Sequence, residues 1–397
     1  MEPGYDAVVV GAGIVGVSTA WELVRRGSRV LLLDRGEVSG GTTGLGEGNV
    51  LCSDKDAGPE LELTKLGLAM YDELDALLGD VAKIRRKGAL IVHPEEATWR
   101  AEPARVERLV GAGVDARLVS GDELRTLEPE LTGPLLGATL VPGDLQCDPR
   151  AITRALASHA SAAGLDIRTG VAVSEIVVEG GRAIGVRVAS AAGTVPAPGA
   201  AAAPGELVRA RAVVLAAGPW SAPLASSAGL SLPVEPRKGQ LARLRLPVPD
   251  ERFLRHKVVD GSYLLSVASG GAGRQVSTVI ETTSDGAVVV GSSRERVGFD
   301  ATVDRALAED MRARASRLIP AAASLEIEHV WVGFRPWLPD HLPAIGESAR
   351  IGGLWVGTGH EGAGVALGPI TGRILAGAIH AEPPPLDLTP FSPDRFG

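Results

Sequence analysis

Residues 5–10 (YDAVVV) form a continuous apolar run, the pattern of a strand covered on both faces. Gly11-Ala-Gly13-Ile-Val-Gly16 follows, and apolar positions then recur at helical spacing over residues 17–26 until Gly27 stops them. A second apolar run at 29–33 ends at Asp34. Strand, glycine turn, helix and strand predict one βαβ unit of about 30 residues.

Helical patterns recur at 59–78, 95–112, 151–163, 304–318 and 365–380. Asp148 and Pro149 supply a cap and a first-turn proline for the third of these. Strand-like runs lie at 89–93, 138–141, 211–215 and 354–357, with further strand residues between Ile167 and Val178. Between 233 and 291 the pattern changes to alternation, predicting antiparallel strands at 240–246, 262–267, 275–281 and 287–291. The Ala/Pro/Gly segment 189–206 reads as a long loop between strands. No internal repeat is present. The prediction is an α/β fold whose discontinuous nucleotide-binding domain (1–85, 145–232 and 328–397) carries an inserted antiparallel-sheet α+β domain (86–144 and 233–327).

The length of 397 residues fits two or three domains, and 45% hydrophobic with 22% charged residues is globular. A net charge of −8 argues against nucleic acid as a partner. Only six of the 40 basic residues are Lys, so a lone Arg carries little information here. Two cysteines, Cys52 and Cys147, cannot form a disulfide framework or a Cys-rich zinc site. No apolar run approaches the ~18 residues of a membrane span, and no leader is visible, so the expected location is the cytoplasm.

The glycines divide the labour of a dinucleotide site. Gly11 makes the tight turn, Gly13 admits a pyrophosphate to the backbone, and Gly16 lets helix and strand approach. The following helix N-terminus favours phosphate, and Asp34, 18 residues past Gly16, suits a ribose hydroxyl. The segment SGGTTGLGEGNVL (39–51) has no period, and its five glycines suit backbone packed against a large flat ligand.

Four blocks together carry a likeness. They are GAGIVG with Asp34, TTGLGEGN (42–49), VVLAAGPWS (213–221), and GFRPWLPDHLPAIG (333–346) with GTGHEGAGVALGPITG (357–372). In this order they resemble the D-amino-acid oxidase/glycine oxidase/sarcosine oxidase superfamily of FAD enzymes. GSSRERVGFD (291–300) is most similar to catalytic subunits of hydroxyproline, opine and cyanide-forming glycine dehydrogenases. The resemblance implies a Rossmann-like FAD-binding domain of the glutathione-reductase type. It also implies non-covalent FAD, because the chain has no cysteine after Cys147 for the C-terminal attachment some relatives use.

By resemblance, Gly11, Gly13, Ile14, Val15 and Gly16 form the phosphate turn, and Asp34 and Arg35 hold the adenosine end. Thr42 and Thr43 match the pyrophosphate and ribityl segment, and Glu47, Gly48 and Asn49 border the isoalloxazine. Val173 matches a backbone contact to adenine, and Gly218 and Trp220 lie beneath the dinucleotide. His360, Glu361, Gly362, Ala363, Gly364 and Val365 fill the loop against the flavin pyrimidine ring, where a helix N-terminus stabilises negative charge.

Arg335 stands where the family clamps a substrate carboxylate, a task suited to a planar guanidinium fork. Tyr263 is expected near the substrate and His360 is a candidate acid/base. The implied reaction is hydride transfer from Cα of a neutral amino acid or N-substituted amino acid to flavin N5, giving an imine. Oxygen, a quinone or a partner subunit would accept the electrons, and a homo- or hetero-oligomer is compatible. An NAD(P)-linked enzyme is disfavoured by the C-terminal loop, and a flavin hydroxylase by AAGPWS at the second glycine turn. A non-catalytic or electron-transferring FAD subunit of a hetero-oligomeric dehydrogenase remains open at this stage.

Overall fold

A computed structural model describes residues 4–189, 205–267 and 270–397 of the chain. Most of the 189–206 segment therefore lies outside the described residues.

The apolar run Tyr5–Val10 is the centre of an eight-stranded sheet, with Glu206–Leu215 and Val30–Leu33 parallel to it on either side. Leu354–Thr358 and Asp166–Arg168 extend the parallel set, and Ala344–Glu347 adds an antiparallel edge. Strand side chains alternate between faces, and this strand buries both sets. Ala7 and Val9 join one core with the helices Ile14–Val24, Pro149–Ala162 and Gly364–Ile379. Val8 and Val10 join another beneath Val173–Glu179 and Arg182–Val188. This double burial explains the absence of alternation in the sequence.

The second sheet also has eight strands, with Glu326–Trp337 and Glu235–Arg245 at one end and Arg117–Val119 at the other. Helix Arg305–Leu318 covers it, burying Leu307, Met311, Ala315 and Leu318 against strand residues such as Ala242, Leu244, Val288 and Val290. Each Leu, Val or Met among these contributes about 1.5–3 kcal/mol when fully buried. By pairing, this sheet runs to Trp337 rather than ending at residue 327.

Two expectations need correcting. Lys257–Asp260 pairs in parallel with Ala89–His93, so the second sheet is mixed. Ser262–Val267 is a short helix, not a strand. Asp260 Oδ1 accepts the Ser262 N–H at 2.8 Å, an Asx turn that starts helical geometry, and an apolar run of six residues cannot distinguish the two periods.

The first and last helices meet at backbone distance. A Cβ built at Gly372 would lie 2.5 Å from the Ser18 carbonyl carbon and 2.6 Å from the Thr19 nitrogen. Gly372→Ala must push the helices apart, and overpacking of this kind destabilises by about 1–3 kcal/mol. The denaturation midpoint of the variant is expected to fall; an unchanged midpoint would show that the contact yields freely.

Candidate active site

The C-terminal ends of the parallel strands and the near edge of the second sheet border an open cleft of about 1230 Å³, counting the solvent space at its mouth.

At one end the wall is nearly all backbone. Gly11 has φ +110°, and a Cβ there would approach the Ala216 carbonyl oxygen to 2.4 Å. Gly16 does not line the cleft; it packs over Gly11, whose carbonyl would lie 1.8 Å from an added Cβ. Gly13 opens helix Ile14–Val24 without a side-chain cap of its own, and the Ile14 N–H instead donates to Thr43 Oγ1 at 3.1 Å. Thr42 Oγ1 donates to the Phe334 carbonyl at 2.6 Å, tying this loop to the second sheet. Asp34 accepts the Ala12 and Gly36 N–H groups, each at 2.7 Å. An ionised carboxylate oxygen accepts more than one bond, so a ribose hydroxyl is still compatible. Gly218, Trp220, Gly48, Asn49 and Val15 complete this part of the lining.

Besides Gly16, three expected residues stand back from the cleft. Arg35 lies over the Trp220 ring at 4.3 Å and acts on the cleft through it. Val173 starts an antiparallel strand opposite Val188 and is not part of the lining. Ala363 caps helix Gly364–Ile379 from behind, its N–H donating to the His360 carbonyl at 2.8 Å. The helix itself presents Gly364 and Val365 to the cleft. Two helix N-termini, several glycines and an acidic strand end fit FAD, which has a pyrophosphate, a ribose and a flat ring to place. Neither Cys52 nor Cys147 lines the cleft; both are buried, and burial pushes their thiols well up, Cys52 to about 12.

The other end holds Arg335, Tyr263, Glu47, His360 and Glu361. Arg335 lies on Glu326–Trp337 opposite Arg237, and its guanidinium rests against the neighbouring strand where Gly239 has no side chain. A Cβ at Gly239 would meet its Nη1 at 2.2 Å. Nη1 donates to the Ser293 carbonyl at 2.9 Å. Among the described residues no carboxylate lies within ion-pair distance of it. Burial, with Arg294 nearby, pushes its pKa down to about 10, which still leaves it charged.

Three other cations around the cleft have carboxylate partners. Arg237 pairs with Glu361, Lys55 with Asp54 at 3.2 Å and Glu60 at 3.3 Å. Lys257 lies 2.8 Å from Glu47 and 3.5 Å from Glu281. Burial alone would raise the Glu47 carboxyl, but Lys257, Asn49 and Arg335 outweigh it and hold it low. Glu281, deeper, is raised by burial and by Glu47 despite Lys257. Tyr263 sits on the short helix with the Arg294 guanidinium 4.5 Å from its ring centre. Sequence reasoning missed Arg237, His341, Lys55 and Lys257. The arginine carried no signal among so many, but the lysines did: Lys55, Lys238 and Lys257, three of the six, are buried.

His360 does not suit the acid/base role. It is 3% exposed, its Nε2 meets Thr371 Oγ1 at 2.9 Å, and burial drives its pKa down to about 3. It is a neutral packing group of the cofactor loop. Its depressed pKa makes it stabilise above its ordinary value of about 6.5, with that stability lost as pH falls toward the folded value. His360→Asn should therefore show a shallower loss of unfolding free energy between pH 6.5 and 4 than the parent; equal slopes would place the proton elsewhere.

Comparison with known proteins agrees with this geometry. The profile of the family described as FAD dependent oxidoreductase (DAO) matches residues 6–378. A glycine oxidase of Pseudomonas aeruginosa is 30% identical over 393 residues, covering 97% of this chain and 98% of the relative. A glycine oxidase of Geobacillus kaustophilus is 28% identical over 411 residues, covering 98% and 97%. The crystal structure of glycine oxidase from Geobacillus kaustophilus superposes with a TM-score of 0.86 at 27% identity, covering 98% of both chains. Iminodiacetate oxidase from Chelativorans sp. BNC1 gives 0.81 at 26%, again covering 98% of both. A glycine cradle for a dinucleotide and a family profile that spans nearly the whole chain lead to one conclusion: the chain belongs to the FAD dependent oxidoreductase (DAO) family.

Proposed function

We propose that this enzyme oxidises the C–N bond of an amino acid or N-substituted amino acid, with Arg335 holding the substrate carboxylate. The observation that carries the reading is the charge layout. Arg237, Lys55 and Lys257 all have carboxylate partners, whereas Arg335 faces the cleft with one carbonyl acceptor. A carboxylate accepting two parallel N–H bonds would complete its shell. The names of the relatives, glycine oxidase and iminodiacetate oxidase, agree with small substrates of this class.

When bound, FAD supplies the two-electron acceptor for the hydrogen on Cα. The chain's residues do the rest by orientation and electrostatics. Arg335 fixes one end of the substrate, and Tyr263 in the same cleft limits how the rest can turn. The Arg335 charge opposes a second cation beside it, favouring the neutral amine whose lone pair is needed to form the imine. The N-terminus of helix Gly364–Ile379 favours negative charge at the cofactor end, and neutral His360 adds none of its own. The imine hydrolyses in water to a keto acid and an amine unless it is cyclic.

The proposed division of labour follows. The first sheet holds a non-covalent cofactor, and the second sheet shapes the substrate end, with Glu326–Trp337 reaching from one to the other.

The test is anaerobic bleaching of the FAD-loaded protein by glycine, sarcosine, iminodiacetate, D-alanine and L-proline in turn, followed by oxygen to read the acceptor. At least one is expected to bleach it. Arg335→Ala should lower kcat/KM by roughly 30-fold or more, the equivalent of ~2 kcal/mol or above, while keeping FAD. Unchanged kinetics would remove the carboxylate anchor. Acid precipitation should leave the yellow colour in the supernatant; colour in the pellet would mean a covalent link.

A further inference from the structure

Glu361 makes two side-chain contacts that cofactor binding does not require. Oε1 pairs with Arg237, which is 1% exposed, and Oε2 lies 3.1 Å from Nδ1 of His341. Glu361 lines the cleft. The next residue, Gly362, is beside the anchoring arginine: a Cβ there would lie 3.8 Å from Arg335 Nε. His341 is at the other end, with 26% of its side chain exposed. The carboxylate thus stands between the substrate end of the cleft and an imidazole that reaches water.

Both residues adopt left-handed backbone, φ +47° for Glu361 and +60° for His341, which residues with side chains seldom do. Hydrogen bonds hold each in place: Glu361 N–H to the Pro336 carbonyl at 3.0 Å, and His341 N–H to the Leu338 carbonyl at 3.0 Å. The side chains meet because the backbone is held.

An amino acid arrives from neutral water as an ammonium, and its nitrogen must lose a proton before its lone pair can form the imine. The Arg335 charge makes that loss favourable in the cleft, but the proton needs an acceptor and a way out. We propose that Glu361 and His341 form this exit, Glu361 taking the ammonium proton and His341 passing it to water. The inference rests on the amino-acid reading above.

The step balances without redox change. The N–H bond of the ammonium breaks and an O–H bond forms on Glu361. In the resting pair His341 donates its Nδ1–H to Glu361; exchange with water moves that hydrogen to Nε2, the Glu361 proton then bonds to the freed Nδ1, and the Nε2 proton leaves to water, which returns the resting tautomer. Arg237 and His341 outweigh burial and keep the Glu361 carboxyl low, so it is ionised and ready to accept. The other charges facing the pair are Arg335, Glu60 on helix Pro59–Leu78, Arg296 over the Trp337 ring, and Asp340, which Arg395 engages at 2.6 Å. Trp337 meets the His341 ring edge-on at 5.9 Å.

The test follows FAD-loaded protein in stopped flow, anaerobically, in weak buffer with a pH indicator, using the amino acid from the bleaching panel that reacts. The parent should release one proton per flavin bleached. His341→Ala should bleach at least roughly 10-fold more slowly, and added imidazole should restore the rate. His341→Asn keeps a side-chain amide for Glu361 but cannot relay a proton, so it should be slow as well. Glu361→Gln should be slow and insensitive to imidazole. Parent-like rates in both His341 variants overturn the exit, as does a slow His341→Ala that imidazole fails to restore. If His341→Ala does not fold, the rate of His341→Asn decides. A parent that no amino acid bleaches refutes the amino-acid reading itself, a different result from a parent that reacts alongside indifferent variants.

Discussion

A guanidinium half-buried in a cleft wall with a single carbonyl acceptor gives up part of its hydration with no carboxylate in return. Arg335 is in that position, and its surroundings exist to permit it. Gly239 leaves room for the guanidinium to lie flat against the next strand, and Ser293 offers its carbonyl. Arg237, Lys257 and Lys55 nearby are paired locally with Glu361, Glu47 and Asp54, whereas Arg335 donates to a carbonyl. On the proposed reading, an anionic substrate group supplies what the protein withholds.

The cofactor end solves a different problem with the same means. FAD has two phosphates and a flat ring, and side chains would keep both away from the backbone groups that bind them. Gly11 and Gly13 therefore lie where a Cβ would strike Ala216 or Thr43. Removing side chains weakens local packing, and the fold recovers it behind the cleft. Gly16, Gly368 and Gly372 bring the first and last helices into backbone contact with one another and with the first strand.

Much of this was legible in the chain. The GAGIVG turn, its flanking strands, the terminal helix and the position of Arg335 were all readable, because each rests on a local pattern with a fixed geometric consequence. Ser262–Val267 was not, since six apolar residues fit strand or helix and a single Asp260 hydrogen bond decides between them. The parallel pairing of Lys257–Asp260 with Ala89–His93 joins segments far apart in sequence, and no local period encodes such a choice. Val173, expected at the adenine end, starts a strand that stands back from the cleft lining. His360 looked like a base until its burial and its contact with Thr371 were known. Arg237 and His341 matter through Glu361, and side-chain pairing across strands and loops leaves no trace in spacing.

One strand explains why cofactor loop and substrate anchor keep a common frame. Glu326–Trp337 pairs along Glu235–Arg245 and carries contacts to both. Its Phe334 carbonyl accepts from Thr42, its Pro336 carbonyl accepts from the Glu361 backbone, and between them Arg335 presents its guanidinium to the cleft. Successive strand residues are separated by about 3.3 Å with side chains on alternate faces, so the three contacts cannot shift independently. A displacement of the Thr42 loop is felt at Arg335 through one peptide unit. Sites built on regular elements hold their geometry better than sites built on loops, and here the glycine-rich loops of the cleft are pinned to the strand that carries Arg335.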